Sequence, residues 1–153
     1  ALWAVERQAR LVLPCSHPAL VLTDELARFE RLKLYLLNLG HTLLAHAWRL
    51  GGYPGDMTVL QAMQHATLRD ALEAAWEEEV LPVFDALGEG KEARAYLVVL
   101  RERLLNPFLA HRLADIAQNH RQKVARRIEP VITLAGEKIP GLEQPRLRAL
   151  LAD

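Results

Sequence analysis

Cysteine is almost missing: Cys15 is the one thiol in 153 residues. No disulfide can close within the chain, and a reducing, cytoplasmic setting is the expectation. Net charge is missing too, since 19 basic and 19 acidic residues cancel. That removes the electrostatic case for a nucleic-acid or acidic-membrane partner. No apolar run nears the roughly 18 residues of a bilayer-spanning helix, so no transmembrane segment is expected. No basic stretch followed by an apolar one opens the chain, so no secretory leader is expected. Metal-site patterns are lacking: there is no H-E-x-x-H and no cysteine pair, His41 and His46 stand poorly for one helix face, and Cys15-Ser-His17 is a lone C-x-H. No bound metal is expected. Repeats and low-complexity tracts are absent. The chain opens on Ala1 rather than a methionine, and a processed or excised piece of a longer protein is expected.

What remains is ordinary globular material, 51% apolar and 25% charged, with enough length for one cored domain. Residues 1–23 differ from the rest. Leu2-Trp3-Ala4-Val5, Leu11-Val12-Leu13 and Leu20-Val21-Leu22 are short apolar runs broken by charges, Pro14 and Pro18, and read as strands or extended segments. Residues 24–153 carry helical patterning throughout, so the fold class expected is all-α, a bundle of about seven helices with a short extended N-terminal region. Thr23 or Asp24 can cap a long helix that stops at Gly51-Gly52. A short helix is predicted over Thr58–Gln64. Thr67-x-x-Asp70 has the form of a capping box for a helix through Ala86, kinked at Pro82. Lys91–Leu105 is the next helix. Pro107 suits the first turn of another that reaches Gln122 or beyond, with a break at Pro130. Residues 136–144 read as loop, and Pro145 opens a last helix.

The long first helix carries the chemistry. On a wheel of about 100° per residue, Leu32, Leu36, Leu39, Leu43 and Leu50 form a core stripe. The opposite arc holds Lys33, Leu34, Leu37, Asn38, His41, Leu44, Ala45 and Trp48. A helix apolar most of the way round is buried, so Lys33, Asn38 and His41 are expected to have little water around them and to need partners. A desolvated lysine moves toward the working range of a general acid or base, an asparagine amide can donate to an oxygen gaining negative charge, and a histidine can hold a neighbouring hydroxyl. Reduction of a carbonyl by hydride uses that set. A snorkelling lysine, a satisfied amide and a core histidine are the structural alternative.

The run Lys33-Leu-Tyr-Leu-Leu-Asn38-Leu-Gly-His41 resembles the K-x4-N-x2-H signature of the polyol-specific long-chain dehydrogenases, the mannitol dehydrogenase family. Trp3-Ala4-Val5-Glu6 is similar to that family's W-x-I-E strand, and Glu78-Glu79-Val80-Leu81-Pro82-Val83 to its E-E-x-x-P-V/I segment. Arg103-Leu-Leu-Asn106-Pro107-Phe108 is similar to its R-F-x-N-P-aromatic step. His111 to Pro130 resembles the following helix, closest to the hexuronate (tagaturonate and fructuronate) reductases. The similarity spans nearly the whole chain in order.

The resemblance implies a C-terminal, substrate-binding domain of an enzyme that uses NAD or NADP to interconvert a keto-sugar or keto-hexuronate with its alcohol. It implies Lys33 as general acid/base, Asn38 as half of an oxyanion site, and His41 as the residue that orients a substrate hydroxyl. Lys123 and Arg127 fall where the family places basic substrate-binding residues; with Arg121 and Arg126 they form a basic run that either faces solvent or pairs with a sugar-acid carboxylate. Residues 1–23 would leave an N-terminal Rossmann-type domain that binds the cofactor, and zinc is not implied. One departure stands at Asn119-His120, where the family often has Asp-Gly or Asn-Gly. A non-catalytic helical interaction module of the same fold, and a sugar-phosphate dehydrogenase domain, are the alternatives.

Gly88-Glu-Gly90-Lys-Glu-Ala93 fits a relaxed dinucleotide pattern but follows a helical stretch, so a helix-to-helix loop is predicted. Glu77-Glu78-Glu79 reads as a solvated run, and Trp48 and Trp76 fit core or cleft-wall positions equally.

Overall fold

The computed structural model describes the backbone of residues 3–6 and 20–23, and residues 25–152 in full. Two short strands, β1 (Trp3–Glu6) and β2 (Leu20–Thr23), pair in parallel with Trp3 opposite Leu20. Of the three runs expected to be extended, Leu11–Leu13 lies outside the described residues, as does Asp24. Everything from Leu26 onward is helix and connection, so the chain is an all-helical bundle with an extended N-terminal region.

The first rod is continuous but not uniform. It comprises α1 (Leu26–Leu32), a π-helical stretch (Lys33–Asn38) and α2 (Leu39–Leu50). It stops at Gly51-Gly52 as the sequence predicts, because Gly52 takes φ +66°, a left-handed turn that suits glycine at a helix C-terminus. Leu36, Leu39 and Leu43 of the expected stripe are buried, but Leu50 is 68% exposed; it is the last helical residue, where the chain turns away.

The capping box lies elsewhere than predicted. Thr58 Oγ1 accepts from the Gln61 N–H at 3.3 Å while Gln61 Oε1 accepts from the Thr58 N–H at 2.8 Å, opening α3 (Val59–Gln64). One residue, His65, separates it from α4 (Ala66–Ala74). Thr67 is therefore already inside a helix and caps nothing.

A kink is expected at Pro82, and the helix changes its winding there. A second π-helical stretch, Ala75–Val80, precedes α5 (Leu81–Ala86), which carries Pro82 in its first turn. A proline has no N–H for the carbonyl four residues back and crowds it, and the helix widens there: the Leu81 N–H reaches Trp76 O.

After the loop at Gly88 comes α6 (Gly90–Leu104), so Gly88–Gly90 is a helix-to-helix connection. Pro107 does not open a helix. Residues 105–112 are irregular, tied down where Val59 N–H donates to His111 O at 2.8 Å and Leu113 N–H to Met57 O at 2.9 Å. The expected long helix is instead α7 (Leu113–Ala117) and α8 (His120–Arg127), parted at Asn119, which has φ +55°. Asparagine tolerates that conformation, so Asn119 makes the turn that a glycine-containing pair would make. Pro130 sits in the first turn of α9 (Glu129–Lys138), which runs through part of the stretch expected as loop, and Pro145 opens α10 (Pro145–Ala149).

The core is one cluster. Leu36, Leu39 and Leu44 of the first rod meet Leu72, Trp76 and Phe84 of the α4–α5 rod, with Leu97 of α6, Leu113 of α7 and Ile128 closing it. Gly40 permits a close approach of the two rods, since a Cβ there would stand 2.8 Å from Trp76 Cζ2. Among the described residues no helix is long and apolar enough to cross a membrane.

Candidate functional site

Lys33 and Asn38 are the first and last residues of the π-helical stretch. In a π turn the N–H reaches the carbonyl five residues back, as the Leu39 N–H does to Leu34 O. Residues five apart then stand one above the other, as residues four apart do in an α-helix. The x4 spacing between Lys33 and Asn38 thus puts both on one side of the rod, and His41 follows three residues later. Widened turns of this kind recur at functional sites. This one is held from behind: the Trp76 indole N–H donates to Leu36 O at 3.2 Å.

Asn38 is also fixed through its backbone. Its carbonyl accepts from Thr42 Oγ1 at 2.9 Å and from the Arg127 guanidinium at 3.3 Å, and Arg127 donates to Thr42 Oγ1 at 3.0 Å as well. Lys123, one turn before Arg127 on α8, donates to Ile116 O at 2.6 Å. Burial is the first cause that lowers the pKa of both, followed for Lys123 by the charge of Arg127 and for Arg127 by that of Arg126.

His41 is half-buried. Its ring meets that of His111 edge-on, with centroids 6.0 Å apart. Burial, then the electrostatic influence of His111 and the positive charges of Arg127, Arg103 and Lys123, push its pKa down to about 4, so it is a neutral imidazole at pH 7. A hollow beside it is lined by His41, Val59, Arg103, Leu104, Leu109 and His111.

The Asn38 backbone carbonyl is held by Arg127, and His41 feels the charges of Arg127 and Lys123. Lys33 shares the rod of Asn38 and His41, but it is exposed rather than enclosed. The sequence reading also missed Arg103 and His111. Both lie in segments that carry the family resemblance, and nothing in their local spacing points to His41.

Glu79 departs from the solvated run it belongs to. It is 0% exposed; one carboxylate oxygen accepts from the Arg146 backbone N–H at 3.0 Å and the other from the Leu147 N–H at 2.9 Å. These are unpaired donors at the start of α10, a favourable place for an acidic group. Glu77 and Glu78 stay exposed and pair with Arg101 and Arg146.

Gly88–Ala93 does not serve as a dinucleotide cradle. No strand leads into it, and Glu89, at its centre, is buried against the Arg31 guanidinium. No cofactor-binding residue is assigned to this chain. Cys15 and His17 lie outside the described residues.

Comparison with known proteins accords with this geometry. The Mannitol dehydrogenase C-terminal domain family matches residues 25–152. The chain is 36% identical to D-mannonate oxidoreductase of Escherichia coli over 104 residues, 67% of this chain and 21% of that protein. It is 35% identical to altronate oxidoreductase of Cronobacter sakazakii over 132 residues, 86% of this chain and 26% of that protein. Altronate oxidoreductase of Klebsiella pneumoniae is 34% identical, again over 86% of this chain and 26% of its own. The chain spans about a quarter of the length of these relatives. It belongs to the mannitol dehydrogenase C-terminal domain family, among whose members it is similar to sugar-acid oxidoreductases.

Proposed function

We propose that this domain binds the substrate and moves the proton in an oxidoreductase that interconverts a keto-hexuronate, or a related keto-sugar, with its alcohol. A nicotinamide cofactor, NAD or NADP, held by a separate N-terminal Rossmann-type domain that β1 and β2 adjoin, exchanges hydride with the substrate carbon. Lys33 Nζ gives its proton to the carbonyl oxygen during reduction and takes it back in oxidation. Its exposed position is where a substrate clasped between two domains would meet it. Asn38 donates from its side-chain amide to the same oxygen as negative charge grows there. His41, neutral at pH 7, can both donate to and accept from a substrate hydroxyl. Lys123 and Arg127 border the site as basic substrate-binding residues; each keeps N–H donors beyond those spent on Ile116, Asn38 and Thr42. The observation that carries this reading is the π-helical stretch that begins at Lys33 and ends at Asn38, three residues before His41.

The test is NADH and NADPH oxidation by the full-length protein that carries this sequence, with tagaturonate, fructuronate, fructose and fructose 6-phosphate. The expected result is turnover of a uronate that disappears in a folded Lys33→Ala variant. A requirement for phosphate would move the assignment to a sugar-phosphate dehydrogenase. Inertness toward all four would leave a non-catalytic interaction module.

A further inference from the structure

The hollow beside His41 has polar walls of one kind. Arg103, from the last turn of α6, and His111, from the irregular segment before α7, face it together with His41. Among the residues that line it there is no carboxylate. Arg31 pairs with Glu89, Arg94 with Asp85, Arg101 with Glu73, Arg112 with Asp115, and Arg146 with Glu79; of the described arginines that have no such partner, Arg103 is the one that lines the hollow beside His41. Among the described residues neither the Arg103 side chain nor that of His111 has an ion pair or hydrogen bond. Part of Arg103's placement is explained by the helix C-terminus, which favours a cation, but that leaves the guanidinium's own donors unused. Lys123 and Arg127, the other cations near His41, each spend donors on backbone carbonyls. The rest of the lining, Val59, Leu104 and Leu109, is apolar, while Arg103 and His111 are themselves exposed and can reach a ligand that arrives from solvent.

We propose that this hollow is the carboxylate subsite of the sugar-acid site, with Arg103 and His111 as its receptors. The inference rests on the oxidoreductase reading above and deepens it. A carboxylate in the hollow takes two parallel N–H bonds from the Arg103 guanidinium and one from the His111 ring. The neighbouring carbon's hydroxyl then lies against His41, and the sugar chain points along the rod toward Asn38 and Lys33. A neutral polyol leaves Arg103 without its counter-charge, so the subsite sets the preference for an acid over an alcohol at that end. The positive surroundings that hold His41 neutral are the field such an anion would meet.

The experiment uses the full-length protein and substrate pairs that differ only in a carboxylate against a primary alcohol at one end: D-altronate with D-altritol, and D-mannonate with D-mannitol. Binding is read by titration calorimetry in the presence of NADH, where oxidation cannot proceed, and turnover is read with NAD or NADP. In Arg103→Met we expect the KM for the turned-over acid to rise about 10–100-fold with kcat within about twofold, and His111→Ala to give a smaller rise in the same direction. The loss should be larger on the acid than on its neutral partner. Acid binding in the wild type that is lost in Arg103→Met, with no turnover by either, upholds the subsite and removes the oxidoreductase reading. Turnover of an acid that both variants leave unchanged removes the subsite and keeps that reading. Equal losses on acid and alcohol, or no acid binding by the wild type, overturn the subsite.

Discussion

The Trp76 indole N–H donates to the carbonyl of Leu36 at 3.2 Å, and by that bond the second π-helical stretch holds the first. Trp76 is 0% exposed, so no water replaces the bond if it is removed. Trp76→Phe keeps most of the apolar volume and leaves the Leu36 carbonyl without this donor, a loss of about 1–3 kcal/mol that urea unfolding would register. If the turn around Leu36 positions Lys33 and Asn38, the same variant lowers kcat in the full-length protein more than its stability loss accounts for.

Gly40 offers a sharper probe of the same contact. A methyl group there would meet Trp76 Cζ2 at 2.8 Å and Leu72 Cδ1 at 3.3 Å. Gly40→Ala is expected to destabilise by about 1–3 kcal/mol through overpacking. Gly136, exposed on α9 with nothing within 4 Å of its would-be Cβ, is the control: Gly136→Ala should stabilise by about 0.5–1 kcal/mol. Denaturation midpoints of the two variants moving in opposite directions would bear this out.

Glu79 predicts a large effect from a change that looks conservative on paper. Its carboxylate accepts from two backbone N–H groups at the start of α10 and from the Arg146 guanidinium. Glu79→Ala should cost roughly 2–4 kcal/mol, whereas Glu77→Ala, an exposed neighbour paired only at the surface, should change stability by less than about 1 kcal/mol. Thermal unfolding of the two side by side decides it.

The histidines give stability a pH dependence of definite sign. His41 falls from 6.5 to about 4 in the folded domain, chiefly by burial. His46 and His120, stacked with centroids 5.4 Å apart, are lowered as well, again with burial as the first cause. The unfolded chain binds more protons than the folded one between those values, so the contribution is full above pH 6.5 and drains away as pH falls toward 4. His41→Asn should flatten that part of the profile; a slope left unchanged would show that His41 does not titrate with folding.

Lys33 is exposed, which separates its chemistry from its structure. Lys33→Met should leave the unfolding free energy within about 0.5 kcal/mol of wild type and reduce turnover by about 10²–10⁴-fold, the range expected for loss of a general acid/base.

How much of this could be read beforehand follows from what each signal depends on. The stop at Gly51-Gly52 and a change of the helix at Pro82 were legible because glycine and proline act through their own backbone, but that the change takes the form of a widened turn was not. Thr67 misled because the motif is local while the helix start is not: the Thr58–Gln61 box took the cap, and α4 began before Thr67. Glu79 looked like its two neighbours because its partners, Arg146 and Leu147, lie far along the chain. On a uniform wheel of about 100° per residue, Lys33 and Asn38 fall roughly 140° apart; the π turn that realigns them leaves no mark in hydrophobic periodicity. The enclosure expected for Lys33 failed: its neighbours along the chain, Leu32 and Leu34, are themselves only partly covered.

The first π-helical stretch also says which kind of genetic change would part the fold from the chemistry. Such a stretch is an α-helix that accommodates one additional residue, with the segments on either side still in phase with the bundle. Shortening the chain by one residue between positions 33 and 38 would let the rod close to α pitch, with Leu39 and Leu43 still seated in the core. The damage would be confined to the turn that aligns Lys33 with Asn38. In a relative, a one-residue gap at this point is the mark of a domain that kept its architecture and gave up this reaction.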